Sequence, residues 1–486
     1  MFKERRVHPI TMLNEFLKKA KAFFLYALII IIGQSRSEGE VHFGGYFLYS
    51  AIILIVLYIV YIFLNWFFFK YSFEDGILHI KSGIFIKKER YIKRERVQTI
   101  NFKAGILFRI FNLVTLEIET AGGFLEPEVH IYAINKEYAE TIKKELTKID
   151  DVTVCDEFKE VKKTQNDVRK SSNWKISNKR IILAGMTSEG IGFIFSVLAF
   201  LFSQGTQIIP ETVLDNALEF LSELSVSIIA FFIIIIFLIS WMISIIIVFI
   251  RYGEFVVSND NDEIQLSRGI VEKKKLSFKR HRIQAVKIIE SPIRQMLGYG
   301  CIEVVVAGGI NSEKDKKTII HPMIKKEEIK KFLEFISPDR IYETEYCPLP
   351  KRALKRYIIR GVAPFLLIPI INLILMSYFD IGNWIWLNLT LLVLGVFLGY
   401  IRYKDGGYKI ISNNIIIRNR LFSRKTILIK KKQMQNLSLD ANIIQRLNSL
   451  TTFKTTVLSP MICESYTLKD IDFSNGHKIW SWFSNG

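Results

Sequence analysis

Twenty-four consecutive residues, Tyr46 to Phe69, carry no full charge, and a second run, Ser227 to Ile250, is as long, uncharged and rich in Ile. At about 1.5 Å of rise per residue, each covers the roughly 30 Å hydrocarbon core of a bilayer as a helix. A lipid environment therefore constrains this chain before any soluble core does. Two more apolar stretches, Ile358 to Phe379 and Trp384 to Ile401, are split only by Asp380-Ile381-Gly382-Asn383 and read as a helical hairpin. Ala22 to Ile32, if its helix begins near Leu13, and Ile181 to Phe202, which contains Gly185, Glu189, Gly190 and Gly192, complete two more hairpins by pairing with the strong runs that follow them. No small-residue cleavage site follows Ile32, so the first helix is expected to stay uncleaved.

Charge gives the expected orientation. Residues 203–226 hold no Lys or Arg but hold Glu211, Asp215, Glu219 and Glu223; residues 33–45 hold one, Arg36. The net charge of +19 lies in the long segments flanking the hairpins. Basic residues in short loops stay on the cytoplasmic side, which places both termini and all the soluble segments there, in a multi-pass protein of the cell membrane. Cys155, Cys301, Cys347 and Cys463 fall in those segments with no Cys-x-x-Cys and no clustered His, so they are expected to be reduced packing residues.

The soluble segments repeat. Gly83, Arg96-Val97-Gln98, Phe108-Arg109-Ile110-Phe111-Asn112-Leu113, Leu116-Glu117-Ile118 and Ala121-Gly122-Gly123 recur without a gap 186 residues later. The matching residues are Gly269, Arg282-Ile283-Gln284, Arg294-Gln295-Met296-Leu297-Gly298-Tyr299, Ile302-Glu303-Val304 and Ala307-Gly308-Gly309. At an offset of 337 a third copy reads Arg420, Gln433-Met434-Gln435, Gln445-Arg446-Leu447-Asn448, Phe453-Lys454-Thr455 and Leu458-Ser459-Pro460. Short alternating runs such as Ile77-Leu78-His79-Ile80, Ile264-Gln265-Leu266 and Ile415-Ile416-Ile417, separated by turn residues, predict a small antiparallel sheet or barrel in each copy. Amphipathic helices over 136–149 and 325–336, and a third presenting Ile479, Trp480 and Phe483, would close them.

This layout resembles the bacterial pleckstrin-homology-like membrane proteins of the YdbT type, through Gly-Ile-Phe-Ile-Lys-Lys, Arg-Val-Gln, Phe-Arg-Ile-Phe-Asn-Leu and Glu-Thr-Ala-Gly-Gly, and through the openings Arg6-Val7-His8-Pro9 and Trp174-Lys175-Ile176-Ser177. The resemblance covers nearly the whole chain. It implies an α+β membrane protein of six transmembrane helices in three hairpins, each hairpin followed by a cytoplasmic PH-like split β-barrel with a C-terminal helix. The expected divisions are 1–69 for an N-terminal segment and hairpin, 70–175, 251–350 and 402–486 for the PH-like domains, the third diverged, and 176–250 and 351–401 for the other hairpins. It also implies a membrane-anchored binding module in envelope homeostasis or stress resistance, and a smaller one-domain PH-like membrane relative as a partner.

No Gly-x-Ser-x-Gly, His-Glu-x-x-His, Walker-type loop or Gly-x-Gly-x-x-Gly occurs, and none of the seven His has metal spacing, so no catalytic residue, metal or cofactor is expected. The triplets Arg96/Gln98, Arg282/Gln284 and Gln433/Gln435 have two readings. Strand alternation would put the outer two side chains on one face as an interaction surface; alternatively they satisfy backbone groups where the sheet turns. Ala121-Gly122-Gly123 and Ala307-Gly308-Gly309 could form anion nests or simply permit positive φ. Basic clusters, among them Lys87-Lys88, Lys273, Lys274, Lys275, Lys279, Arg280, Lys430, Lys431 and Lys432, are candidates to face anionic lipid headgroups, with ordinary solvated charge as the alternative. They are not interleaved with aromatics, which sets nucleic acid aside. Glu189 is a candidate intramembrane acid, too isolated for a transporter. The leading function is a non-enzymatic protein- or lipid-binding module; the alternative is a subunit of a transport or lipid-handling assembly.

Overall fold

The computed structural model describes residues 4–17, 19, 43–74, 76–84, 86–120, 129–147, 172–188, 226–260, 262–307, 318–343, 345–378, 385–459 and 463–484. Helix Phe43–Phe68 (α1) leads into the first repeat, whose strands are Lys70–Glu74 (β1), Ile77–Ser82 (β2), Lys88–Lys93 (β3), Val97–Ala104 (β4), Leu113–Thr120 (β5) and Val129–Asn135 (β6), followed by helix Lys136–Thr147 (α2). Val226–Tyr252 (α3) leads into the second repeat. Its strands are Val256–Asp260 (β7), Glu263–Arg268 (β8), Lys273–Lys279 (β9), Ile283–Glu290 (β10), Tyr299–Val306 (β11) and Thr318–Lys325 (β12), and its helix is Lys326–Ile336 (α4). Leu354–Tyr378 (α5) and Ile385–Asp405 (α6) lead into the third: Gly407–Ile411 (β13), Asn414–Arg420 (β14), Arg424–Lys430 (β15), Met434–Asp440 (β16), Leu450–Val457 (β17), Glu464–Asp472 (β18) and helix Phe473–Ser484 (α7).

The sheets do not stop where the repeats stop. One seven-stranded sheet runs β6-β5-β4-β9-β8-β7 and ends on the short strand Ser172–Lys175; another runs β12-β11-β10-β15-β14-β13 and ends on Cys347–Pro348. The fourth strand of one repeat thus pairs antiparallel with the third strand of the next, Phe102 opposite Lys275 and Val286 opposite Leu428. At the ends of the series, β1, β2 and β3 with the lead strand Arg5–Arg6 form a four-stranded sheet, and β16, β17 and β18 a three-stranded one. By compactness the chain divides into residues 1–123, 127–258 and 265–277 on one side and 124–126, 259–264 and 278–486 on the other, so the division runs through the second repeat rather than between repeats.

Within the first unit, Leu78 from the β1–β3 half, Leu116 and Ile131 from the β4–β6 half and Ile142 from α2 are fully buried in one core. Within the second, Ile415, Ile417, Ile429, Phe453 and Ile479 do the same for the third repeat. Ile415, Ile416 and Ile417 are consecutive and all fully buried; a β-branched run covered on both faces marks an interior strand. In α4, Ile329, Phe332, Leu333 and Ile336 form the expected buried stripe. In α7 Ile479 is buried, but Trp480 is 51% exposed and does not join it.

Two irregularities recur at equivalent places. Asn112, Gly298 and Ser449 each take a left-handed backbone, φ 52°, 74° and 49°, ending the five-residue helices Ile106–Ile110, Pro292–Met296 and Ile443–Leu447. The register shifts at Gln98, Gln284 and Gln435 as the fourth strand begins, and again at Thr115, Cys301 and Thr452. Cys301 is buried at its shift, whereas Cys347 and Cys463 are exposed and do not pack as expected.

The four clear apolar runs fall on α1, α3, α5 and α6. Among the described residues, Ile234–Tyr252 is long and apolar enough to cross a membrane by length and composition, and Ile53–Phe68 is a shorter apolar stretch. α5 and α6 approach closely at glycines: a Cβ on Gly399 would lie 2.7 Å from Ile358 Cα, the small-residue contact that lets apolar helices pack backbone to backbone. Residues 22–32, Glu189, Ala121-Gly122-Gly123, Gly308, Gly309 and Cys155 lie outside the described residues.

Candidate functional site

The recurring polar triplet sits at the junction between half-sheets. Arg96, Arg282 and Gln433 each end a three-residue 3-10 turn, and the fourth strand begins at the next residue. The following Gln98, Gln284 and Gln435 occupy the register shift. An extra residue at that point breaks the two-residue period, so the outer side chains need not share a face. In the third repeat they do not: Gln433 is 5% exposed and Gln435 is open to solvent. Arg96 is exposed, and the side chain of Gln98 lies outside the described residues. Gln284 is buried and donates from Nε2 to the Arg282 carbonyl at 3.3 Å.

Gln433 is held by a residue the sequence does not single out. Arg340, 2% exposed, donates to the carbonyls of Ile283 (2.6 Å) and Leu428 (2.8 Å) and to Gln433 Oε1 (2.7 Å), while Gln433 Nε2 donates to the same Ile283 carbonyl. Burial pulls the Arg340 guanidinium down to about 10 against the pull of Asp339, so it is charged at neutral pH. Directed hydrogen bonds offset the cost of a buried charge, and here those of Arg340 Nη1 and Nη2 reach β10 and β15, while its Nε has no partner among the described residues.

The basic clusters are paired in part. Lys273, Lys274 and Lys275 lie on β9 opposite Ala104, Lys103 and Phe102, and Lys273 pairs Glu254 at 2.8 Å. Lys279 is exposed; Arg280 donates to Asn259 Oδ1 at 2.9 Å. Lys430 pairs Asp339 at 2.8 Å, Lys431 lies 5.6 Å from the Trp482 ring, and Lys432 is exposed.

A different basic site lies in the second unit. A cavity of about 440 Å³ lies among β10, β14, β15 and β18, against the start of α5 and the end of α6. Lys287, Arg360, Arg402, Arg420, Lys425 and Lys469 line it, against two acids, Glu303 and Glu464. Three of the six cations are neutralised: Lys287 pairs Glu464 and lies 5.4 Å from the Tyr466 ring, Arg360 pairs the fully buried Asp470 at 2.5 Å, and Arg420 pairs Asp405 at 2.5 Å. Burial and the neighbouring Glu464 push the Tyr466 hydroxyl well above its ordinary value, so it stays a neutral donor. Arg402 spends its Nε on the Leu421 carbonyl at 2.9 Å. Among the described residues Arg402, Lys425 and Lys469 have no carboxylate partner. Such a pocket attracts an anion, and guanidinium and ammonium donors around it suit phosphate oxygens.

Glu303 has a counterpart in the first unit. Glu117 pairs with Lys103 at 2.6 Å and His130 at 3.4 Å. Burial works against its ionisation, but the His130 hydrogen bond and the Lys103 charge outweigh it and hold the carboxyl below its ordinary value. No group of three or more His, Cys, Asp or Glu able to hold a metal occurs among the described residues.

Comparison with known proteins follows the repeat. The family model described as "Bacterial PH domain" matches residues 23–149, 208–340 and 360–486. The chain is also 33% identical over 500 residues to the "UPF0699 transmembrane protein YdbT" of Bacillus subtilis (strain 168), an alignment covering 100% of this chain and 99% of that protein.

Proposed function

This chain belongs to the bacterial PH domain family, carrying the domain three times, and from that premise we propose that it is a non-catalytic, membrane-anchored module that binds an anionic lipid headgroup in the basic cavity lined by its second and third repeats. In this reading the protein is multi-pass, with six spans in three hairpins, and both termini and all three domains face the cytoplasm, where anionic lipid is concentrated. Envelope homeostasis is the process such a module would serve.

The observation that carries the reading is the set of three cations without carboxylate partners at the cavity. Arg402 lies on the last turn of the apolar helix α6, and the cavity also touches Tyr357 and Arg360 near the start of α5. If α5 and α6 span the bilayer, their shared end lies at headgroup level, where each Lys or Arg contributes about 1 kcal/mol toward anionic lipid. Three would give about 3 kcal/mol, roughly a hundredfold preference.

The test compares wild type with an Arg402→Gln/Lys425→Gln/Lys469→Gln variant, reconstituted in nanodiscs of phosphatidylcholine with and without phosphatidylglycerol, by native mass spectrometry of retained lipid. Wild type is expected to retain phosphatidylglycerol selectively and the variant to lose that selectivity; equal retention by both sinks the headgroup reading. Orientation is checked separately with the exposed Cys347 and Cys463. A membrane-impermeant maleimide should label them in inside-out vesicles, and labelling in right-side-out vesicles would overturn the cytoplasmic placement.

A further inference from the structure

We propose that copies of this chain join head to tail, β3 of one chain pairing antiparallel with β16 of the next, through the two strand edges that the series of repeats leaves open. Third strands pair with the preceding repeat's fourth strands twice within the chain, as β4·β9 and β10·β15. The first and third repeats stand at the two ends of the series of three. Consequently β3 pairs only with β2, and β16 only with β17, among the described residues. Each is one half of a joint that the same fold makes elsewhere.

The two internal joints share one register. Lys273 lies opposite Ala104, and Arg424 lies opposite Glu290; Lys273 and Arg424 are equivalent positions in their repeats, as are Ala104 and Glu290. The pairings inside the half-sheets are conserved as strictly: Ile77 opposite Lys93 matches Asn414 opposite Lys430, and Ile100 opposite Ile118 matches Leu437 opposite Thr455. The open strands therefore present the backbone frame of the paired ones. Carried to the ends, the register sets Lys88 against Asp440, Arg90 against Ser438 and Tyr91 against Leu437.

Charge selects head-to-tail over like-with-like pairing. β3 reads Lys-Glu-Arg-Tyr-Ile-Lys and is net basic, while β16 reads Met-Gln-Asn-Leu-Ser-Leu-Asp and is net acidic. Pairing β3 with β3 would set like charges across the ladder, which is destabilising, whereas Lys88 with Asp440 is a favourable cross-strand pair. The exposures fit an edge awaiting a partner. In β15 the four residues Thr426 to Ile429 are buried, whereas in β3 Ile92 alone is buried and Tyr91 is 57% exposed. An unpaired edge offers a row of backbone donors and acceptors, and a second strand added there gains main-chain bonds along its length. Because the surfaces that meet differ, the contact is heterologous, and it builds a ring or an open row rather than a twofold dimer.

The test uses the full-length protein in native membranes, with Cys155, Cys301, Cys347 and Cys463 replaced by Ser. One chain carries Lys88→Cys and a differently tagged chain carries Asp440→Cys; the two are co-expressed and oxidised. Opposed residues on antiparallel strands lie within disulfide reach. The expected result is a crosslinked dimer containing both tags, about tenfold more abundant than with Leu437→Cys in place of Asp440→Cys, since three residues of slip exceed that reach. An intramolecular pair, Glu290→Cys with Arg424→Cys, reports that the joints are folded in the same background. If that pair closes and no two-tag dimer forms, the proposal fails. It fails equally if the Lys88→Cys chain crosslinks to itself alone, or if the dominant product joins a different polypeptide.

Discussion

The two internal joints are built on one register but secured very differently. Where β10 meets β15, six residue pairs run from Ala285–Ile429 to Glu290–Arg424, two of them wholly apolar and three with one apolar partner. One end is locked by the Arg424–Glu290 pair, bidentate at 2.5 and 2.8 Å, and the other by Arg340. Where β4 meets β9, three pairs are formed, one of them Lys274 opposite Lys103. There the added fastenings are single bonds, Ser277 Oγ to the Ile100 carbonyl at 3.1 Å and Arg109 Nη1 to the Ile270 carbonyl. The shared register comes from backbone geometry; the strength comes from side chains at the ends of the ladder. Local opening follows the number of buried contacts and directed bonds, so the first joint is expected to open before the second.

Breaking the stronger joint gives the largest effect. Arg340→Ala takes the guanidinium donors from the Leu428 carbonyl and Gln433 Oε1 and leaves the Ile283 carbonyl with Gln433 Nε2, all in a buried site, and the expected loss is about 3 kcal/mol. Hydrogen exchange should show β10 and β15 amides exchanging as fast as those of β4 and β9; unchanged protection would mean that the ladder holds the joint without Arg340. Glu290→Gln removes one side of a largely buried charge-assisted pair, and the expected cost is about 2 kcal/mol, read as a shift in the urea midpoint of the second unit. Acid acts on the first unit through Glu117. Its folded carboxyl titrates below its unfolded value, so its contribution is fully present above the ordinary carboxylate range and disappears as pH falls through the lowered folded value. Glu117→Gln should flatten that acid limb of stability measured from pH 6 downward; an unchanged limb would assign the acid sensitivity to other carboxylates.

Much of this architecture is legible in the sequence because a gapless repeat transmits it. The offsets of 186 and 337 residues align strands, short helices and left-handed turns, including Asn112 with Gly298 and Ser449. What escaped reading depends on backbone or on distance. Pairing between consecutive repeats uses main-chain bonds, which leave no side-chain signature in β9 or β15. The register shift at Gln98, Gln284 and Gln435 cancels an alternation argument built on those same residues. Arg340 follows Ser337-Pro338-Asp339 after α4 with no periodicity to mark it, and Arg402, Lys425 and Lys469 converge on the cavity from α6, β15 and β18 without any local cluster. Of the basic runs that stand out in the sequence, Lys273 and Lys430 pair with carboxylates, while Lys279 and Lys432 stay exposed.

Because each seven-stranded sheet is shared across a repeat boundary, the unit of inheritance and the unit of folding are offset by half a period. Cutting the gene between two repeats would sever one ladder and expose two sticky strands, one on each piece, so such truncations should aggregate rather than yield a tidy domain. Adding or deleting a whole repeat, by contrast, leaves the same kind of strand at either end, whatever the number. Copy number could thus drift through evolution without redesigning the seams, and the length of the array would be set by the partners or membrane it must reach.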